Sequence, residues 1–179
     1  MATLAESKDS FRYNSVARFF HAIIAVMVIF NLISGIGGDA IEDLWNPIPV
    51  HKGTGILILL LSLGRIAWRF TWTAPAWPDA MGNLRRLIAK VTHLALYALM
   101  LVVPLTGWIM SSAGKYPISI YGLFEWPKLA VTKGSALAEA AHEGHEVLGF
   151  LMAALVVLHV AAALHHHFVI KDNILRRML

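Results

Sequence analysis

Apolar residues run in four long stretches, about 16–36, 50–70, 89–111 and 143–168, separated by polar or aromatic-rich connections. Each is long enough to cross a hydrocarbon core about 30 Å thick as a helix. None shows the alternation over ~10 residues that marks a membrane β-strand. The pattern predicts an all-α membrane protein, a four-transmembrane-helix bundle, with residues 1–179 forming one integral membrane domain in the lipid bilayer. A soluble protein with four buried helices fits poorly, because 58% of the residues are hydrophobic and mean hydropathy is +0.63. Met1 to Ser15 is polar and lacks the pattern of a cleavable signal, so the first stretch is expected to stay as a span.

Charge orients the bundle. Lys8, Arg12 and Arg18 precede span one; Arg65, Arg69, Arg85, Arg86 and Lys90 surround the connection between spans two and three; Lys171, Arg176 and Arg177 follow span four. The other two connections hold only Lys52, Lys115, Lys128 and Lys133. The positive-inside rule puts both termini in the cytoplasm, which an even number of spans allows. The first outer connection is acidic (Asp39, Glu42, Asp43); the second, about 112–141, carries the interfacial aromatics Tyr116, Tyr121 and Trp126. Trp68, Trp72 and Trp77 mark the inner boundary. The sequence pI of 9.6 thus reflects topology, and no nucleic-acid partner is expected. No internal repeat stands out.

Against this frame the histidines fall at matching depths. His145 and His159 are fourteen residues apart, about 40° short of four full turns, so they share one face about 21 Å apart along the helix. His51 starts span two at the level of His145; His21 lies just over one turn into span one, at the level of His159. Each level offers two imidazoles from different helices, the arrangement a bis-histidine haem needs in a four-helix bundle. Ionisable residues within a span are costly when unpaired and mark function. The residue four positions after each is small: Ala25, Gly55, Gly149 and Ala163. Positions i and i+4 share a helix face, and a porphyrin beside its ligand needs that space. His93 is followed instead by Tyr97, and His142 by Glu146. There are no cysteines, which removes disulfides, iron–sulfur ligation and covalent haem attachment.

Other residues have weaker claims. His93, at the inner end of span three, is a candidate for a haem or quinone contact, with plain packing as the alternative. His166 lies seven residues after His159 and so faces inward, a candidate for a propionate or quinone contact. Arg18, Arg65 and Arg69 at the same edge are candidates for pairing with propionates, topology being their simpler role. His165, His166 and His167 diverge by 100° per residue, so three successive imidazoles do not converge easily on one metal ion.

Several stretches together resemble the bacterial cytochrome b561 family. They are R-F-F-H at Arg18–His21, H-x-G-T-G at His51–Gly55, G-R-I-A-W-R at Gly64–Arg69, H-L-x-L-Y at His93–Tyr97 and P-L-T-G at Pro104–Gly107. The most specific is L-H-V-A-A-A-L-H-H-H at Leu158–His167, followed by Lys171-Asp172-Asn173. The resemblance implies a multi-pass protein of the bacterial inner membrane with two non-covalent b haems, their irons ligated by His21 with His159 and by His51 with His145. It implies single-electron exchange with quinone, ubiquinone being the expected acceptor. The family includes a superoxide oxidase, so superoxide or a periplasmic redox partner is the expected donor, and Lys115, Lys128 and Lys133 would attract an anion. Two alternatives stand beside this: a membrane cytochrome b subunit of a larger dehydrogenase or hydrogenase, and a non-enzymatic haem carrier or scaffold. A proton-linked transporter is disfavoured, since acidic residues are missing from the span interiors apart from Glu146 near an end.

Overall fold

The computed structural model describes residues 12–38, 46–77 and 81–179. Lys8 and the acidic residues Asp39, Glu42 and Asp43 lie outside the described residues. Four helices are long and apolar enough to cross a membrane: α1 (Ser15–Ile36), α2 (Ile48–Arg69), α3 (Asn83–Ala113) and α4 (Ala136–His165). The last runs on through a π-helical turn, His166–Ile170.

Local chemistry sets the helix starts. Asn14 caps α1 through its side-chain oxygen, which accepts from the Ala17 N–H at 2.8 Å. Ser135 does the same for α4 through Ala138, and Glu139 in the first turn complements the helix dipole. Pro49 sits in the first turn of α2, where its missing N–H costs nothing. Two starts depart from the apolar pattern. The helix α3 begins at Asn83 and α4 at Ala136, six and seven residues ahead of the expected spans. The extra turns carry charge, Arg85 and Arg86 in α3 and Glu139 in α4, among good helix formers, so hydrophobicity alone underestimates them. His145 consequently lies well inside α4 rather than near its start.

The closely packed helix pairs are α1–α2, α2–α3 and α3–α4. Ile24, Val28, Ile58, Leu99 and Met152 are buried together in the middle of the bundle. Met152 is midway between His145 and His159, so this apolar layer divides the bundle into two ends.

At one end the α3–α4 connection forms an antiparallel hairpin, β1 (Ile118–Ile120) with β2 (Phe124–Trp126). Its turn uses two left-handed residues, Tyr121 (φ 52°) and Gly122 (φ 76°). The hairpin lies on α2: Ile118 and Ile120 bury against Ile56, and the Tyr121 hydroxyl is 2.8 Å from Thr54 Oγ1. The approach is close enough that a Cβ on Gly53 would fall 2.8 Å from the Ser119 carbonyl oxygen. Trp108 packs edge-on against Trp126 and donates its indole N–H to the Pro127 carbonyl.

At the other end the chain termini are tied to the α2–α3 connection. The Tyr13 N–H donates to the Arg177 carbonyl at 3.0 Å, and Arg177 Nη2 donates to the Ala76 carbonyl at 2.7 Å. The Tyr13 ring meets Trp72 edge-on, and Trp68 Nε1 donates to the Asn14 cap. Trp68 and Trp72, expected at a membrane boundary, are thus also part of a packed terminal knot.

A candidate cofactor site of paired histidines

Helices α2 and α4 bring His51 and His145 together at the hairpin end, with ring centroids 6.0 Å apart. Helices α1 and α4 bring His21 and His159 together at the opposite end, 6.4 Å apart. A nitrogen–metal bond is about 2.0–2.1 Å. Two such bonds plus two ring radii span about the separation seen at both levels.

The hairpin-end pair is fixed by a matched set of partners. His51 Nδ1 is 3.1 Å from the Asn31 carbonyl oxygen and 3.2 Å from Ser34 Oγ. His145 Nδ1 is 3.0 Å from the Val103 carbonyl oxygen and 3.2 Å from Thr106 Oγ1. In each case the hydroxyl also donates to that carbonyl, at 3.1 Å for Ser34 and 2.8 Å for Thr106. A carbonyl can only accept, so Nδ1 must carry the proton on both rings. That tautomer leaves the Nε2 lone pairs free to bind a metal.

Glycine permits this closeness. A Cβ on Gly35 would lie 2.7 Å from His51 Cε1, and one on Gly107 would lie 2.9 Å from His145 Cε1. Each cradle repeats one spacing: a carbonyl at position i, a hydroxyl at i+3 and a glycine at i+4. Asn31, Ser34 and Gly35 supply it from α1, and Val103, Thr106 and Gly107 from α3. The two groups are too short to register as a sequence repeat. The readable trace is a Ser-Gly and a Thr-Gly pair on the two helices that carry no histidine at this level.

Between these elements is a cavity of about 410 Å³, lined by both histidines and, among others, by Gly55, Gly149, Lys52 and Glu146. Its size falls within the roughly 300–1,000 Å³ of cofactor and ligand sites. A Cβ on Gly149 would meet no neighbouring side chain or helix within 4 Å, and Gly149 is one of the residues that line the cavity.

The opposite level is built differently. The His93 ring is 5.5 Å from that of His159 and stacks on Trp77, so three histidines gather there. Arg65 donates to the Tyr97 hydroxyl at 2.9 Å and is close enough to act electrostatically on His21, His93 and His159. Arg69 is engaged elsewhere, donating to the Trp72 carbonyl and covering the Trp72 ring. Arg18 has a buried Nε without a hydrogen-bond partner among the described residues. His166 pairs through Nδ1 with the Asp172 carboxylate beyond the π turn, where Lys171 adopts a left-handed conformation. His165 stands perpendicular to His166, and His167 packs on Phe168. Two polar clusters at the hairpin end are separate from the histidine pair: Lys115 and Lys133 line a second hollow with Glu139, His142 and Glu143, and Lys128 donates to the Gly114 carbonyl.

Comparison with known proteins agrees with the architecture. A family model described as prokaryotic cytochrome b561 matches residues 12–179. The chain is 33% identical over 172 residues to cytochrome b561 homolog 2 of Escherichia coli (strain K12), covering 94% of this chain and 91% of that protein. It is 31% identical over 131 residues to the probable superoxide oxidase CybB of Yersinia pestis, covering 73% of each. It is 29% identical over 175 residues to cytochrome b562 of Cereibacter sphaeroides, covering 93% of this chain and 94% of that protein. With four spanning helices and a match over most of its length, the chain belongs to the prokaryotic cytochrome b561 family of haem-b-binding, electron-transferring membrane proteins.

Proposed function

We propose that the protein holds two b haems, one between His51 and His145 and one between His21 and His159, and carries single electrons between a donor at the hairpin end and quinone. The observation that carries this is the pair of carbonyl-anchored imidazoles at 6.0 Å across a lined cavity. When bound, a b haem with two imidazole ligands exchanges one electron at a time and leaves no iron position open to oxygen. The chain's residues do the rest. Asn31 and Val103 orient the hairpin-end imidazoles through their carbonyls, and Gly35 and Gly107 let those imidazoles approach. Gly55 and Gly149 keep the cavity walls thin. Ile24, Val28, Ile58, Leu99 and Met152 exclude water between the two levels.

The hairpin end is the periplasmic side in this reading, with both termini in the cytoplasm and the bundle in the bacterial inner membrane. Lys52, Lys115, Lys128 and Lys133 then lie on that side, interspersed with Glu139, Glu143 and Glu146. Superoxide is the donor we infer, supported by the similarity to a probable superoxide oxidase, and ubiquinone the acceptor. His93, beside His159, is the residue we place nearest a quinone or haem edge.

Haem content with a redox-titrated visible spectrum tests the reading. Two low-spin b haems per chain are expected. His51→Ala and His145→Ala should lose one of them, and His21→Ala and His159→Ala the other. A single haem, or silence of His145→Ala, would sink the assignment. Superoxide-dependent reduction of ubiquinone by the holoprotein, absent from the haem-depleted chain, tests the substrates.

A further inference from the structure

The two histidine levels are supported unequally. Both imidazoles at the hairpin end give their Nδ1–H to a backbone carbonyl and a hydroxyl at once. Among the described residues, His21 and His159 show no such acceptor; beside the His93 ring, their charged neighbour is the Arg65 guanidinium. The Tyr97 hydroxyl holds Arg65 there.

These differences act in the same direction. An acceptor on the outer ring N–H makes an imidazole a more basic ligand, which favours the more positive oxidised iron. A fixed cation beside a site favours the reduced state by simple Coulomb attraction. The cavity at the hairpin end contains one charge of each sign, Lys52 and Glu146, which offset one another.

We propose that Ser34 and Thr106 are positioning residues which, with the Asn31 and Val103 carbonyls, hold the hairpin-end site at a lower reduction potential than the Arg65 end. An electron that enters at the hairpin end then leaves that site oxidised and the Arg65-end site reduced, a downhill step. The direction of flow is written into hydrogen bonds rather than into the ligands, which are histidines at both levels. This rests on the ligand assignment proposed above.

The test is a redox titration of the purified holoprotein, followed by visible and electron paramagnetic resonance spectra. The wild-type protein should show two potentials, and His51→Ala should remove the lower. Ser34→Ala and Thr106→Val should each raise the lower potential and leave the higher in place, with a larger rise in the double variant. The electron's partition between the levels should change by about tenfold in the double variant, equal to about 59 mV for one electron. Thr106→Ser should retain the wild-type value. Arg65→Gln, which keeps a donor for Tyr97, should lower the higher potential only. Loss of the higher component in His51→Ala would overturn the proposal, as would an unmoved lower potential in a double variant that binds both haems. Thr106→Val acts from a different helix, so it decides alone if the Ser34 variant does not accumulate. Haem counting separates the two readings: fewer than two haems in the wild-type protein sinks the ligand assignment, whereas two haems with unshifted potentials sinks only this proposal.

Discussion

Gly107 shows how one hydrogen atom in place of a methyl group controls a site. Alanine there would place its Cβ 2.9 Å from His145 Cε1, and the ring would have to leave its 3.0 Å bond to the Val103 carbonyl. Gly107→Ala should therefore bring haem content down toward one per chain, measured as the ratio of haem to protein. Gly144→Ala is the control: its nearest contact would be Thr106 Cγ2 at 4.0 Å, and haem content should stay at the wild-type level. The four histidines themselves could be read from the sequence, because period and depth alone group them into two pairs. Their supports could not. A backbone carbonyl looks the same at every position of a sequence. Ser34 and Gly35 look like ordinary small residues of a membrane helix until the fold sets them against His51.

The hairpin between α3 and α4 was the element least visible in advance. Each strand is three residues long, too short for alternation to register, and its turn places a non-glycine residue, Tyr121, at positive φ. The four helices are plain from hydropathy, whereas the first turns of α3 and α4 are not. Tight seating of the hairpin on α2 leads to a prediction. A methyl group on Gly53 would lie 2.8 Å from the Ser119 carbonyl oxygen, a rigid backbone neighbour. Gly53→Ala should cost about 1–3 kcal/mol through overpacking. It should lower the thermal midpoint in detergent and make the chain near 118–126 cleavable by protease. An unchanged midpoint and cleavage pattern would mean that the hairpin rides loosely on the helix.

At the scale of the whole molecule, charge and shape combine. The absence of cysteine makes single introduced thiols clean reporters of topology. Lys115→Cys should react with a membrane-impermeant maleimide added to intact cells, and Arg176→Cys only after lysis. The reverse result would invert the orientation inferred from the arginines and lysines. Packing across the bundle is uneven as well: α4 lies closely against α3, whereas its partners in histidine pairing are α1 and α2. The first three helices form a continuous series of close contacts, and the fourth joins it most closely through α3. In the middle of the bundle Met152 of α4 is also buried with Ile24 and Val28 of α1 and Ile58 of α2. All four helices are thus gathered at an apolar waist, with a pair of histidines to either side of it. A bundle clasped at its waist can be disturbed at one end without coming undone at the other. Each end is then a compartment of its own, free to change its chemistry while the other stays as it is.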